Sequence, residues 1–104
     1  MTEPLKTLVV GCGNMGASHA RAYRHIDGFN LVALVDRDEA RRNALGEELD
    51  VKARYGDLDE ALSAVQPDVV AIATWPDTHA AIAKKALEAG AHVFVEKPVA
   101  TSVE

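Results

Sequence analysis

Short apolar runs and helix-spaced apolar positions alternate along the whole chain. Lys6 to Val10 (KTLVV) becomes apolar toward its end and reads as a strand. Asn14 to Asp27 follows as a helix with Met15, His19, Ala22, Tyr23 and Ile26 at helical spacing, and Gly28 stops it. Leu31 to Val35 (LVALV) is nearly continuous in apolar residues, as expected of a strand covered on both faces. Asp38 caps a helix that carries Ala40, Ala44, Leu45 and Leu49. Val51 to Tyr55 is mixed in character and reads as an edge strand. Asp57 and Glu60 form a D-x-x-E start, followed by Leu58, Ala61, Leu62 and Val65 on one face, with Pro67 ending the helix. Val69 to Ala73 (VVAIA) is the fourth strand. Pro76 opens a helix whose inward stripe is His79, Ile82, Ala83, Ala86 and Leu87, and Gly90 closes it. His92 to Val95 is the fifth strand.

Strictly alternating strands and helices with short links imply parallel strands joined by right-handed crossovers. The composition agrees. The 104 residues suffice for one small domain, 48% of them hydrophobic and only 5% aromatic, so the core is aliphatic. A net charge of −5 with no basic run argues against nucleic acid or an anionic membrane as a partner. No apolar run is long enough to span a bilayer, and the first residues lack the features of a signal peptide. The single cysteine, Cys12, cannot form an internal disulfide, which favours a cytoplasmic home.

The chemistry begins after the first strand. Gly11-Cys12-Gly13-Asn14-Met15-Gly16 is G-x-G-x-x-G, placed between a predicted strand and a predicted helix. In such a loop the first glycine allows the tight turn and the second lets a pyrophosphate approach the backbone. The third lets the helix lie close on the sheet. Backbone N–H groups and the positive end of the helix then hold the phosphates. An ordinary glycine-rich turn would share this pattern, but Asp36 separates the two. It ends the second strand, 20 residues after Gly16, where a dinucleotide fold places the acid that accepts hydrogen bonds from the adenosine ribose. A methyltransferase loop usually runs G-x-G-x-G, and Met15 stands in its last position. The fold expected is therefore a Rossmann doubly wound parallel sheet of strand order 3-2-1-4-5, with helices on both faces. A carboxylate at Asp36 repels a 2′-phosphate and favours NAD. Arg37, Arg41 and Arg42 keep NADP open, although Arg41 and Arg42 also suit the solvated face of a helix. Cys12 has no base beside it and reads as a small packing residue of the loop.

Ligands in such sheets bind off the carboxyl ends of the strands. Two more of those ends are distinctive: Thr74-Trp75-Pro76-Asp77-Thr78-His79 after the fourth strand and Glu96-Lys97-Pro98 after the fifth. Together with the glycine loop, the T-x-x-x-x-H and E-K-P motifs resemble the N-terminal domain of the Gfo/Idh/MocA oxidoreductases, over the whole chain and in the same order. The resemblance implies a nicotinamide cofactor and a sugar, polyol or related substrate in the full-length parent. It implies that Lys97 reaches the reacting hydroxyl or the nicotinamide, with Glu96 beside it. Cofactor contacts would come from the glycine loop, Asp36 with Arg37, Thr74, Trp75 and His79. His19 also matches a frequent family position, although a structural role suits it as well. His79 would equally serve as a core histidine, and Trp75 as a lid or packing residue. Trp75 departs from the family pattern, which often has proline directly after the threonine. The resemblance further implies a cis Lys97–Pro98 bond that turns the chain and aims the lysine.

Thr101 and Glu104 form T-x-x-E, a helix start, and the sequence stops there. In the family that helix leads to a second domain that builds the substrate pocket. The expectation is a single cofactor domain from a longer oxidoreductase, lacking the usual sixth strand and C-terminal domain. Its open fifth strand would favour self-association. The competing expectation is a free-standing module that binds or senses NAD(H) without catalysis.

Overall fold

The computed structural model describes residues 4–74 and 76–95, and for residues 14, 15 and 76–78 the backbone without the side chains. Trp75, Glu96, Lys97, the Lys97–Pro98 bond and the T-x-x-E ending lie outside the described residues. Among the described residues nine elements alternate in the order β1 (Leu5–Val10), α1 (Asn14–His25), β2 (Phe29–Val35), α2 (Glu39–Leu49), β3 (Ala53–Tyr55), α3 (Leu58–Val65), β4 (Val69–Ile72), α4 (Pro76–Glu88) and β5 (His92–Val95).

The five strands form one sheet in the order β3-β2-β1-β4-β5, and every pair is parallel. The expected topology is thus observed, with β3 as an edge. Alternation along the central strands splits the core in two. Val9, Leu34 and Ala71 face Ala17, Ala20 and Tyr23 of α1 and Leu45 and Leu49 of α2. Leu8, Val10, Ala33, Val35, Val70 and Ile72 face Ala61 and Leu62 of α3 and Ala86 of α4. The three central strands are therefore buried on both sides, which is why they read as unbroken apolar runs.

Helix starts follow the sequence closely. Asp38 accepts from the Arg41 N–H and Asp57 from the Glu60 N–H, each as an N-cap. The helix faces differ more. The buried face of α1 is Gly16, Ala17, Ala20 and Tyr23, while Ala22 is exposed and Ile26 is 46% exposed. His19 is half-buried. The cause is distance: at Gly16 α1 lies so close to the sheet that small side chains face inward, and of the expected stripe Tyr23 is buried while Ala22 and Ile26 are not. In α2, Ala40 and Ala44 are exposed and Gly46 is buried beside Leu45 and Leu49. A Cβ on Gly46 would lie 2.1 Å from Nε of Arg54, whose side chain crosses from β3. Leu87 of α4 is 61% exposed, while Ala86 is buried and Ile82 and Ala83 pack against the same core as expected. Helix α1 also ends at His25, two residues before the expected Asp27. Gly28 makes the turn at φ +97°, and its carbonyl accepts from the Leu5 N–H at 2.8 Å. Tyr23 and Phe29 then pack edge to face across that turn at 5.2 Å.

Candidate functional site

The carboxyl ends of β1, β2 and β4 meet at one edge of the sheet, and the loops that leave them interlock. Gly11 has φ +100°, a conformation side chains resist, and its N–H extends the ladder to the Val35 carbonyl at 2.7 Å. A Cβ there would lie 2.5 Å from the Ala73 carbonyl oxygen and 3.1 Å from Cγ2 of Thr74. The glycine loop therefore abuts the loop after β4. A Cβ on Gly16 would stand 1.7 Å from the Gly11 carbonyl oxygen, so α1 can start this close to the loop only with glycine.

Gly13 is different. Its φ is −72°, which any residue adopts, and among the described residues a Cβ there would meet nothing nearer than Nη1 of Arg41 at 3.6 Å. No described contact requires a glycine at this point. The space beside the loop is one a Cβ would fill, as a backbone-approaching phosphate requires. Gly13 is also the N-cap of α1, with no side chain capping the helix and no acidic residue in its first turn. The first turn of α1 thus supplies no anion of its own to the helix's positive end. The backbone of Asn14 and Met15 forms that first turn.

Asp36 sits half-buried beside the loop and holds it. One carboxylate oxygen accepts from the Cys12 N–H at 2.7 Å, the other from the Asp38 N–H at 2.8 Å. Its own N–H donates to the Tyr55 carbonyl at 3.0 Å. Cys12 is buried, with Sγ 3.8 Å from the Val35 carbonyl oxygen. Burial, and then the nearby Asp36 carboxylate, push its thiol pKa up to about 12. A thiol so held is no nucleophile, which matches the packing role expected from the sequence.

Across the edge, Nε2 of His79 lies 2.8 Å from the Thr74 carbonyl oxygen. A carbonyl only accepts, so Nε2 carries the hydrogen and the ring ties the first turn of α4 to Thr74. The edge therefore gathers Gly11, Cys12, Gly13, Gly16, Asp36 and Thr74, with His79 attached through Thr74. The Arg37 side chain is exposed. The sequence reading missed Arg42. It is half-buried rather than part of a solvated face, and its Nη1 donates to the carbonyls of Asp36 at 3.0 Å and Arg37 at 3.4 Å. The signal available was Gly56, directly after β3, which leaves room for that guanidinium. Among the described residues no cluster of three His, Cys, Asp or Glu could hold a metal ion, and no helix is long and apolar enough to cross a membrane.

Comparison with known proteins identifies the family. The profile of an oxidoreductase family with an NAD-binding Rossmann fold, GFO_IDH_MocA, matches residues 5–104. The chain is 37% identical over 98 residues to a D-apiose dehydrogenase of Paraburkholderia graminis, covering 94% of this chain and 26% of that protein. It is 38% identical over 105 residues to an inositol 2-dehydrogenase of an Arthrobacter species, covering 100% of this chain and 31% of that protein. Among solved structures, the scyllo-inositol dehydrogenase of Lactobacillus casei with bound NAD(H) and scyllo-inositol superposes with a TM-score of 0.87 at 31% identity, over 92% of this chain and 28% of that one. The chain thus spans less than a third of the length of these relatives. With the motifs, the strand order and the profile in agreement, the chain belongs to the Gfo/Idh/MocA oxidoreductase family and carries its NAD-binding Rossmann fold.

Proposed function

We propose that these residues form the cofactor half of an NAD-dependent oxidoreductase that interconverts a secondary hydroxyl and a carbonyl on a sugar or polyol. The single observation that carries the reading is Gly13: a glycine that no described contact requires, at the start of α1, beside an acid directly after β2. The glycine loop from Gly11 to Gly16 would take the pyrophosphate, and Asp36 the hydroxyls of the adenosine ribose. Each Asp36 oxygen has lone pairs left after its backbone bond, so it can accept from a ribose without releasing the loop. Arg37, Thr74, Trp75, His79 and Glu96 complete the cofactor side. The polyhydroxylated substrates in the names of the relatives, inositol and apiose, support the substrate class.

The bound nicotinamide would supply the hydride acceptor. Lys97, from E-K-P after β5, would polarise the carbonyl or assist loss of the hydroxyl proton. Asp36 favours NAD over NADP, because its charge opposes a 2′-phosphate.

Titration of NADH into the chain, followed by calorimetry, tests the reading. Saturable binding is expected, and Asp36→Ala should weaken it by about 1–3 kcal/mol, since the ribose loses a charged acceptor. The same change should narrow the difference between NADH and NADPH. Unchanged affinity would remove Asp36 from the site.

A further inference from the structure

Three arginines follow the β2 carboxylate, and their surroundings set one apart. Arg37 is exposed. Arg41 is exposed too, with Nε 3.7 Å from an Asp38 carboxylate oxygen. Arg42 is half-buried, and its Nη1 is engaged. Its Nη1 reaches back to the Asp36 carbonyl at 3.0 Å and the Arg37 carbonyl at 3.4 Å. The flat of its guanidinium lies on Gly56, where Nη1, Cζ and Nη2 would be 3.3, 3.6 and 3.7 Å from an added Cβ.

We propose that Arg42 is a positioning residue for the ribose-binding carboxylate, bracing the Asp36–Arg37 turn from α2, and that it takes no part in binding a 2′-phosphate. The proposal rests on the reading of Asp36 as the ribose acceptor. Asp36 points its two oxygens at the N–H groups of Cys12 and Asp38. That aim depends on the backbone of residues 36–38, which leaves the sheet at Asp36. Beyond the sheet bond from the Asp36 N–H to Tyr55, the two carbonyls of the turn are held by Arg42. A guanidinium suits the task because it is planar, permanently charged and rich in donors, so it can serve two carbonyls while lying against a glycine. A lysine ammonium could reach one carbonyl but could not lie flat on Gly56. With Nη1 committed to two backbone oxygens and one face lying on Gly56, Arg42 is turned to the protein backbone rather than to a phosphate.

Amide hydrogen exchange and cofactor titration on Arg42→Ala, Arg42→Lys and Gly56→Ala test this. In Arg42→Ala, the Cys12 and Asp38 amides should exchange at least about tenfold faster, and Arg42→Lys should recover part of the protection. Gly56→Ala pushes the guanidinium by a few tenths of an ångström without straining its own backbone, and should give a weaker change of the same sign even if Arg42→Ala fails to fold. Gly28→Ala, at the opposite end of β2, controls for general destabilisation and should leave both amides unchanged relative to the rest of the sheet. NADH affinity should fall by about three- to tenfold in Arg42→Ala, and NADPH affinity by less. Unchanged exchange at Cys12 and Asp38 would overturn the brace. A larger loss of NADPH than of NADH would make Arg42 a phosphate ligand instead. If the unaltered chain bound neither cofactor, the proposed function would fail while the exchange arm still decided the role of Arg42.

Discussion

Cys12 sits inside the phosphate loop motif, yet it is shielded from chemistry. Its thiol keeps a proton to about 12, because burial and then the Asp36 carboxylate both disfavour the thiolate. Alkylation by iodoacetamide at pH 8 should therefore be much slower than for the unfolded chain. The same shift carries a stability consequence. An unfolded cysteine ionises near about 8.5, whereas the folded one stays neutral to about 12. Unfolding in that window releases a proton, so stability is fully present below it and declines as pH rises through it. Melting temperature against pH should fall less steeply over that range in Cys12→Ala than in the parent. Equal slopes would contradict the buried, neutral thiol. Lys97 is argued at this scale too. It lies at the nicotinamide end in the proposed reading, so Lys97→Ala should leave NADH affinity within a few-fold, roughly under 1 kcal/mol. In an enzyme that also carries the substrate side, the same change should lower kcat by about 10²–10⁴.

At the scale of elements, glycines do unlike work in the same fold. Gly16 is dictated by sterics: a Cβ would overlap the Gly11 carbonyl at 1.7 Å, so Gly16→Ala must lift α1 from the loop. A loss of about 1–3 kcal/mol of stability is expected, together with weaker NADH binding. Gly28 is dictated by backbone: its φ is +97° and nothing lies within 4 Å of an added Cβ. Gly28→Ala should cost about 1–2 kcal/mol through strain and leave NADH binding intact. Chemical denaturation and calorimetry on the two variants would separate them. Equal effects on binding would refute the assignment of Gly16 to the site. These elements were legible because local signals agree: caps at Asp38 and Asp57, turns at Gly28 and Gly90, and apolar runs at β2 and β4. The inward faces were legible only in part. Leu45 and Leu49 of α2, Leu58, Ala61, Leu62 and Val65 of α3 and Ile82, Ala83 and Ala86 of α4 face the core as expected. Ile26, Ala40 and Leu87 do not, because the inward face also depends on how near each helix lies to the sheet. In α1 the closest approach selects Gly16, Ala17 and Ala20 over larger apolar neighbours such as Ile26. Arg42 escaped for a related reason. Its partners are backbone carbonyls and a glycine across a turn, which leave no pattern in the spacing of side chains.

For the molecule as a whole, the topology decides where function can lie. Parallel strands send every β-to-α loop to one edge, so the glycine loop, Asp36 and Thr74 meet although they lie far apart in sequence. The opposite edge is held by structural bonds, such as the Lys6 N–H to the Asp68 carboxylate at 2.8 Å and the His92 N–H to the Asp68 carbonyl at 2.8 Å. Cofactor binding should therefore stabilise the whole fold by mass action, by about 2.7 kcal/mol when NADH stands at 100 times its dissociation constant. The central claim is that the edge was shaped for a pyrophosphate rather than for the fold's own sake, and Gly13→Ala addresses it directly. Among the described residues an alanine there meets only Arg41 at 3.6 Å, and it keeps an ordinary φ of −72°. Calorimetric titration with NADH, alongside a melting curve without it, is the measurement. The variant should keep its stability within about 1 kcal/mol of the parent while losing NADH affinity by at least about tenfold, because the new methyl occupies the approach to the loop. A variant equally stable that bound NADH as tightly as the parent would contradict the account.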